Sequence, residues 1–310
     1  MKSNPLNFYK MRKLNVDFLG NISRFESAMR KRFLIKTIFY KRVFRGKGFE
    51  FEGYRGYVES DDASLIDWKA TIRSNELLVR QYTEQRDLKI FFIIDVGEGM
   101  VFGSGEHLKN EIVSEIAVCL AHLIVVSGDS IGFSLFNEKI VSHKMFSPGI
   151  KQFYILEENL KNPSFYRGKS NLKNTLKDLF PLLKNASAVF IISDFIRTDK
   201  EDLKVLKEFS MKYETIGIMV RDPVDVKLPD LNREVVIEDS YTGKQLLINP
   251  GLIKHEYEKN ALEQMKEVEN VFKKTNSDLL TIYTDSSFIT SLVNFLRLRV
   301  KSRRFIVPRR

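Results

Sequence analysis

The stretch Lys89-Ile-Phe-Phe-Ile-Ile-Asp-Val-Gly-Glu-Gly-Met100 runs five consecutive apolar residues, Ile90 to Ile94, straight into Asp95 and then into glycines. A short apolar run bounded by turn residues is the pattern of a strand covered on both faces, as in a parallel sheet. Asp95 then falls at the carboxyl end of that strand, where open α/β sheets bind their ligands. The rest of the chain is read outward from this point.

Downstream, helical and strand patterns alternate. Glu106 to Val126 is apolar enough for a long buried helix, and Asp129 to Phe136 reads as a strand with a hairpin partner at Lys139 to His143. Lys151 to Leu160 and Leu172 to Lys184 predict two helices. Ala188-Val-Phe-Ile-Ile192 is a second buried strand, and it too runs on to an aspartate, Asp194. Lys200 to Lys212 reads as a helix, Thr215 to Val220 as a strand, Ile253 to Lys273 as a long polar helix, Asp278 to Thr284 as a last strand and Phe288 to Val300 as a closing helix. Strands alternating with helices imply crossover units and a mostly parallel sheet. Residues 222–250 interrupt the rhythm with Pro223, Pro229 and two apolar runs flanking Thr242-Gly243, a small β insertion with a hairpin turn.

Composition narrows the class. The chain has 310 residues, 43% of them hydrophobic, enough to fill a large core. The longest nearly apolar run, Ile116 to Val126, falls short of the ~20 residues a membrane-spanning helix needs. The amino terminus lacks the apolar centre of a signal peptide, so the expected location is cytoplasmic, with peripheral contact at the inner face of the membrane left open. A single cysteine, Cys119, excludes an internal disulfide framework. The net charge of +10 is uneven: residues 1–47 carry 13 Lys and Arg against Asp17 and Glu26, and residues 297–310 carry seven more and no acid. These basic ends flank an acidic body. They either touch something anionic, such as nucleic acid or a membrane surface, or dock on the body itself. Within the first segment, Arg30 to Phe44 has a moderate amphipathic pattern that predicts a helix packed on the body by its apolar side. The organisation expected is a basic segment 1–47, an arm 48–87 packed on the body, a sheet domain 88–300 with its insertion at 222–250, and a basic tail 301–310.

The arm carries Arg45-Gly-Lys-Gly48, Glu50-Phe51, Arg55-x-Tyr57, Asp61-Asp62, Ile66-Asp67-Trp68, Arg73 and Leu77-x-Val79. Asp61 or Asp62 is expected to cap a short helix, Asp67 to pair with Arg55 or Arg73, and Trp68 to anchor the arm. This ordered series, continued by Asp95, Met100, Ser193-Asp194-Phe195 and Arg221-Asp222-Pro223, resembles the bacterial family called domain of unknown function 58. That family carries a von Willebrand A-like domain, a Rossmann-type, mostly parallel sheet with helices on both faces, and is commonly encoded beside MoxR-type AAA+ ATPases. The resemblance therefore implies a non-catalytic interaction module, an adaptor or co-chaperone. Its partners would be such an ATPase and other von Willebrand A-domain proteins, with no small-molecule substrate. The alternative is a binder of nucleic acid or anionic membrane through the basic ends.

The resemblance also places a site. Metal-binding von Willebrand A domains hold a divalent cation with an Asp-x-Ser-x-Ser loop, a threonine and a further aspartate. Here the loop is Asp95-Val96-Gly97-Glu98-Gly99, with glycine at both serine positions; the threonine position falls at Ser170 and the last aspartate at Asp194. Glycine offers no hydroxyl to an ion that demands six oxygens. The expectation is a metal-free remnant in which Asp95 hydrogen-bonds the loops and Asp95, Gly97, Glu98, Gly99, Ser170 and Asp194 form a docking surface able to recognise a basic side chain. A magnesium ion on Asp95, Ser170 and Asp194, completed by water, is the alternative. The four histidines lie far apart without metal-ligand spacing, and Gly168-Lys-Ser170 lacks the leading glycine of a phosphate loop.

Overall fold

The computed structural model describes residues 14–32, 49–58, 66–74, 76–84, 88–229, 234–238 and 245–301. Its centre is β3 (Lys89–Asp95), buried at every position after Lys89. Side chains alternate between the faces of a strand. Ile90, Phe92 and Ile94 therefore join one apolar cluster while Phe91 and Ile93 join another on the opposite face. Burial on both faces is why the run is continuous rather than alternating.

Five more strands extend this sheet: β4 (Ser130–Phe136), β5 (Ile140–Pro148), β6 (Ala188–Ser193), β7 (Thr215–Arg221) and β10 (Asp278–Tyr283). The order is β10-β7-β6-β3-β4-β5, parallel throughout except for β5, which runs antiparallel on the β4 edge. The chain winds outward from β3 to one edge, then returns to lay β6 on the other side of β3. This is the doubly wound order, and its switch point lies between β3 and β6. The mostly parallel sheet with helices on both faces is the von Willebrand A-like architecture expected from the resemblance.

On one face lie α1 (Phe18–Arg32), α3 (Lys109–Val126), α4 (Ile150–Lys161) and α8 (Phe288–Lys301); on the other lie α5 (Leu172–Leu179), α6 (Lys200–Lys212) and α7 (Pro250–Lys274). Through Ile116 to Ala121 the helix α3 is apolar on every side, because it is enclosed there by the sheet below and by α1, α4 and α8 around it. Across the sheet, the β7 position Gly217 admits the Phe272 ring of α7, since a Cβ there would stand 2.5 Å from it.

A helix that the amphipathic pattern did not single out, α1, precedes the stretch Arg30 to Phe44 and overlaps its first residues. Phe18, Ile22, Phe25 and Met29 make one apolar stripe, all buried against the body. Its approach is pinned by the Asn15 and Asp17 amides, which donate to Glu111 and Glu115 of α3 at 2.8 and 3.2 Å. Of the predicted helix over Arg30 to Phe44, the part beyond Arg32 lies outside the described residues, as do Asp61, Asp62 and Thr242-Gly243. Among the described part of the carboxyl-terminal basic run, Arg299 pairs with Glu214 and Asp278 at the lower end of the sheet, docking on the acidic body.

The arm forms its own antiparallel pair, β1 (Phe49–Gly56) with β2 (Leu78–Glu84), bridged by Ile66 to Val79 and accompanied by α2 (Trp68–Ser74). Asp67 caps α2, accepting from the amides of Lys69 and Ala70 and from the Tyr54 hydroxyl at 3.0 Å. Trp68 does not anchor the arm: it is 62% exposed, because the cap places it at the first helical position with its ring facing outward. Within residues 222–250, β8 (Val235–Glu238) pairs antiparallel with β9 (Gln245–Ile248) as a two-stranded sheet of its own.

If α1 is part of the body rather than an appendage, Phe25→Ala removes a ring 1% exposed and costs about 3 kcal/mol. Urea unfolding measures this as a lowered midpoint in a single cooperative transition, whereas a separate early transition would mean that α1 unfolds alone.

Candidate functional site: a charge cluster at the switch point

Asp95 ends β3, Ser193 ends β6 and Asp194 follows it directly, so the two strands flanking the switch point deliver three polar side chains side by side. Asp95 is 1% exposed. Its Oδ1 accepts from the Ser170 hydroxyl at 2.6 Å and the Gly97 amide at 2.9 Å, and its Oδ2 accepts from the Ser193 hydroxyl at 2.7 Å. Burial, reinforced by the neighbouring Asp194 charge, pushes its carboxyl up from the ordinary 3.8 to about 6, against the pull of these three donors. Gly97 is required by this packing: a Cβ there would lie 2.1 Å from Ser170 Oγ. The Glu98 amide donates to the Gly168 carbonyl at 2.9 Å, closing the same two loops together.

Asp194 faces the other way. Its Oδ2 receives the Lys109 ammonium at 2.7 Å, and Asp225 Oδ2 stands 3.2 Å from the same nitrogen. Lys109 is 2% exposed and opens α3. Burial alone would lower its pKa; Asp194 and then Asp225 outweigh burial and hold it raised, so the lysine is charged. Burial likewise works against Asp194, yet Lys109, the Ile196 amide and Arg221 bring its carboxyl below the usual range. Asp225 stays raised, because burial there exceeds the pull of Lys109.

A ring of further bonds holds these loops. Asp222, fully buried, accepts from the amide and hydroxyl of Ser104 at 2.8 and 2.6 Å and from the Thr284 hydroxyl at 2.7 Å. Arg221 reaches Gln264 of α7, which in turn donates to the Phe195 carbonyl and to Thr198 Oγ1. Phe195 sits at φ 52°, a conformation rare for a bulky residue, and follows directly on Asp194. Its ring is buried beside Phe272 and its carbonyl is held by Gln264, so surrounding packing sustains the strain. A cavity of about 210 Å³ opens above the cluster, lined by Asp95, Phe102, Lys109, Ser170, Asp194 and Arg197 among others.

The predicted residues Asp95, Gly97, Glu98, Gly99, Ser170 and Asp194 thus converge, with Gly99 on the cavity wall. Asp95 and Asp194 are turned inward, 1% and 8% exposed, and brace the loops around them. Lys109, Ser193, Asp222 and Asp225 complete the cluster and were not singled out as site residues. For Lys109 there was a signal: a cation at the start of a long apolar helix, where the helix dipole disfavours positive charge. The metal set implied by the resemblance does not fit these residues. Both Asp95 oxygens face hydroxyl or amide donors, and Asp194 holds an ammonium. Elsewhere, His143 bonds the Ser134 hydroxyl, and Cys119 is buried with its thiol pushed up by burial; both serve the core.

Strand order and site define a doubly wound α/β domain with a self-paired charge cluster at its switch point. The chain belongs to the family described as Protein of unknown function DUF58, which matches residues 53–267. It is 24% identical over 260 residues to the uncharacterized protein Rv1480 of Mycobacterium tuberculosis, covering 82% of this chain and 80% of that one. It is 33% identical over 111 residues to the uncharacterized protein MAV169 of Mycobacterium avium, covering 35% and 64%. Among solved structures it is similar to the conserved hypothetical protein BatB from Bacteroides thetaiotaomicron, at 10% identity and TM-score 0.46 over 69% of this chain and 99% of that one. A von Willebrand factor type A protein from Catenulispora acidiphila follows at 10% identity and TM-score 0.38, covering 73% and 44%.

A carboxyl whose folded pKa is raised contributes stability that is fully present below its unfolded value and lost as pH rises through the folded one. For Asp95 that window runs from 3.8 to about 6. Asp95→Asn removes this titration. Between pH 4.5 and 7.5 the wild type should therefore lose more than about 1 kcal/mol relative to the variant, as read from urea unfolding at the two pH values.

Proposed function

We propose that the chain is a non-catalytic protein-interaction module, an adaptor or co-chaperone for a MoxR-type AAA+ ATPase in the maturation or remodelling of a client complex. The ATPase comes from the family resemblance. The observation that carries the interaction reading is the exposed apolar face of α2, within the family-signature arm. Trp68 and Ile72 lie one turn apart, 62% and 80% exposed, and Leu77 nearby is 47% exposed. Exposed apolar groups clustered in this way mark interaction sites, and tryptophan is enriched among the residues that dominate binding energy. The Asp67 cap orients α2 from inside the arm.

On this reading the switch-point cluster acts indirectly, as a brace for the rim of the cavity, and no cofactor takes part. The protein works in the cytoplasm, with contact at the inner membrane face left to the basic ends. Among the described residues no helix is long and apolar enough to cross a membrane.

Affinity purification of the tagged chain from its own host should recover the ATPase. A Trp68→Ala, Ile72→Ala double variant should lose at least tenfold of that recovery while keeping the wild-type melting temperature, since both side chains are exposed. Undiminished recovery by the folded variant would remove α2 from the interface, and absence of the ATPase from the wild-type eluate would remove the partner.

A further inference from the structure

We infer that Lys109 is a built-in cation: its ammonium occupies the role of the divalent ion in this class of site, so the loops at the top of the sheet are held together without any metal. The inference starts from what Lys109 costs. It stands at the first position of α3, where unpaired backbone amides already concentrate positive charge and a cation is disfavoured. It is also buried to 2% exposure, which penalises its charged form. Both effects favour a neutral or relocated side chain, yet the ammonium stays, 2.7 Å from Asp194 and 3.2 Å from Asp225.

Those two carboxylates belong to the loops after β6 and β7, and Lys109 itself to the segment following β3. One ammonium therefore ties three crossovers to a point, the task a bound cation performs when it draws ligands from separate loops. Phe102, 5.6 Å from the ammonium, walls its outer side, and the Lys109 amide donates to the Phe102 carbonyl at 2.8 Å. The first loop is adapted to the same end. Ser170 fills the space above Gly97, so the serine of a metal-binding loop could not be restored there without displacing it. Asp95, the residue that would coordinate the ion, spends its oxygens on Ser170, Ser193 and the Gly97 amide instead.

The test is a metal titration of the full chain and of charge variants, using magnesium and manganese chloride alone. The wild type should give no stoichiometric heat in calorimetry and the same melting temperature in millimolar manganese as in EDTA. Lys109→Met should lower the melting temperature by about 10 °C, because it strands two buried carboxylates. Manganese should then restore part of the loss. Where the single variant does not fold, Lys109→Met with Asp194→Asn and Asp225→Asn removes all three charges and should fold, near wild type and indifferent to manganese. One manganese bound per wild-type chain at micromolar affinity would overturn the inference. So would a Lys109→Met protein as stable as the wild type in EDTA.

Discussion

The contact of the Lys109 ammonium with Asp194 and Asp225 is the constraint on which the upper end of this molecule depends. A buried ion pair is a weak source of net stability, because desolvating the charges offsets their attraction. Its strength lies in geometry, since a charge in a poorly solvating interior tolerates few positions. Here three charges from three crossovers can be satisfied together in one arrangement, and that arrangement sets the loops after β3, β6 and β7. Asp222 repeats the device without a cation, gathering Ser104, Val224 and Thr284 onto one carboxylate.

Beneath this polar cap the sheet is conventional, and the two layers divide the work. One face is sealed by α3, buried except at His122 and Val126 and covered on its outer side by α1. The other is sealed by α5, α6 and α7, close enough at Gly217 that only hydrogen fits. The polar cap and the apolar layers meet at Phe195, whose ring belongs to the core and whose backbone carries Asp194 to Lys109. A strained residue there couples the packing of α7, through Gln264, to the position of a charged group at the surface of the sheet.

Within the basic ends, Arg299 shows that composition alone does not say where a charge is used. Arg299 belongs to a run of seven cations without an acid, yet it closes a three-charge contact with Glu214 and Asp278. The stripe Phe18, Ile22, Phe25 and Met29 turns a basic segment into a structural helix. The Arg299 charge, which looks like part of an address for an external anion, is used within the chain.

The sequence by itself determined the sheet, the alternation of its crossovers and the place of Asp95 and Asp194, because continuous apolar runs ending in a carboxylate can be buried on both faces in few ways. It also placed Ser170 beside them through family resemblance, and the tertiary structure supplied what local pattern cannot carry. Lys109, 14 residues beyond Asp95 in the chain, is locally an unusual cation at a helix start, but nothing nearby in sequence names its partner; only the winding of the sheet brings it to Asp194, 85 positions away. Trp68 shows the converse, since an aromatic in a signature motif reads as an anchor, while the cap geometry of Asp67 turns it to solvent. Strand identity follows from nearest neighbours in sequence. Which charges meet follows from strand order, and that is a property of the whole fold.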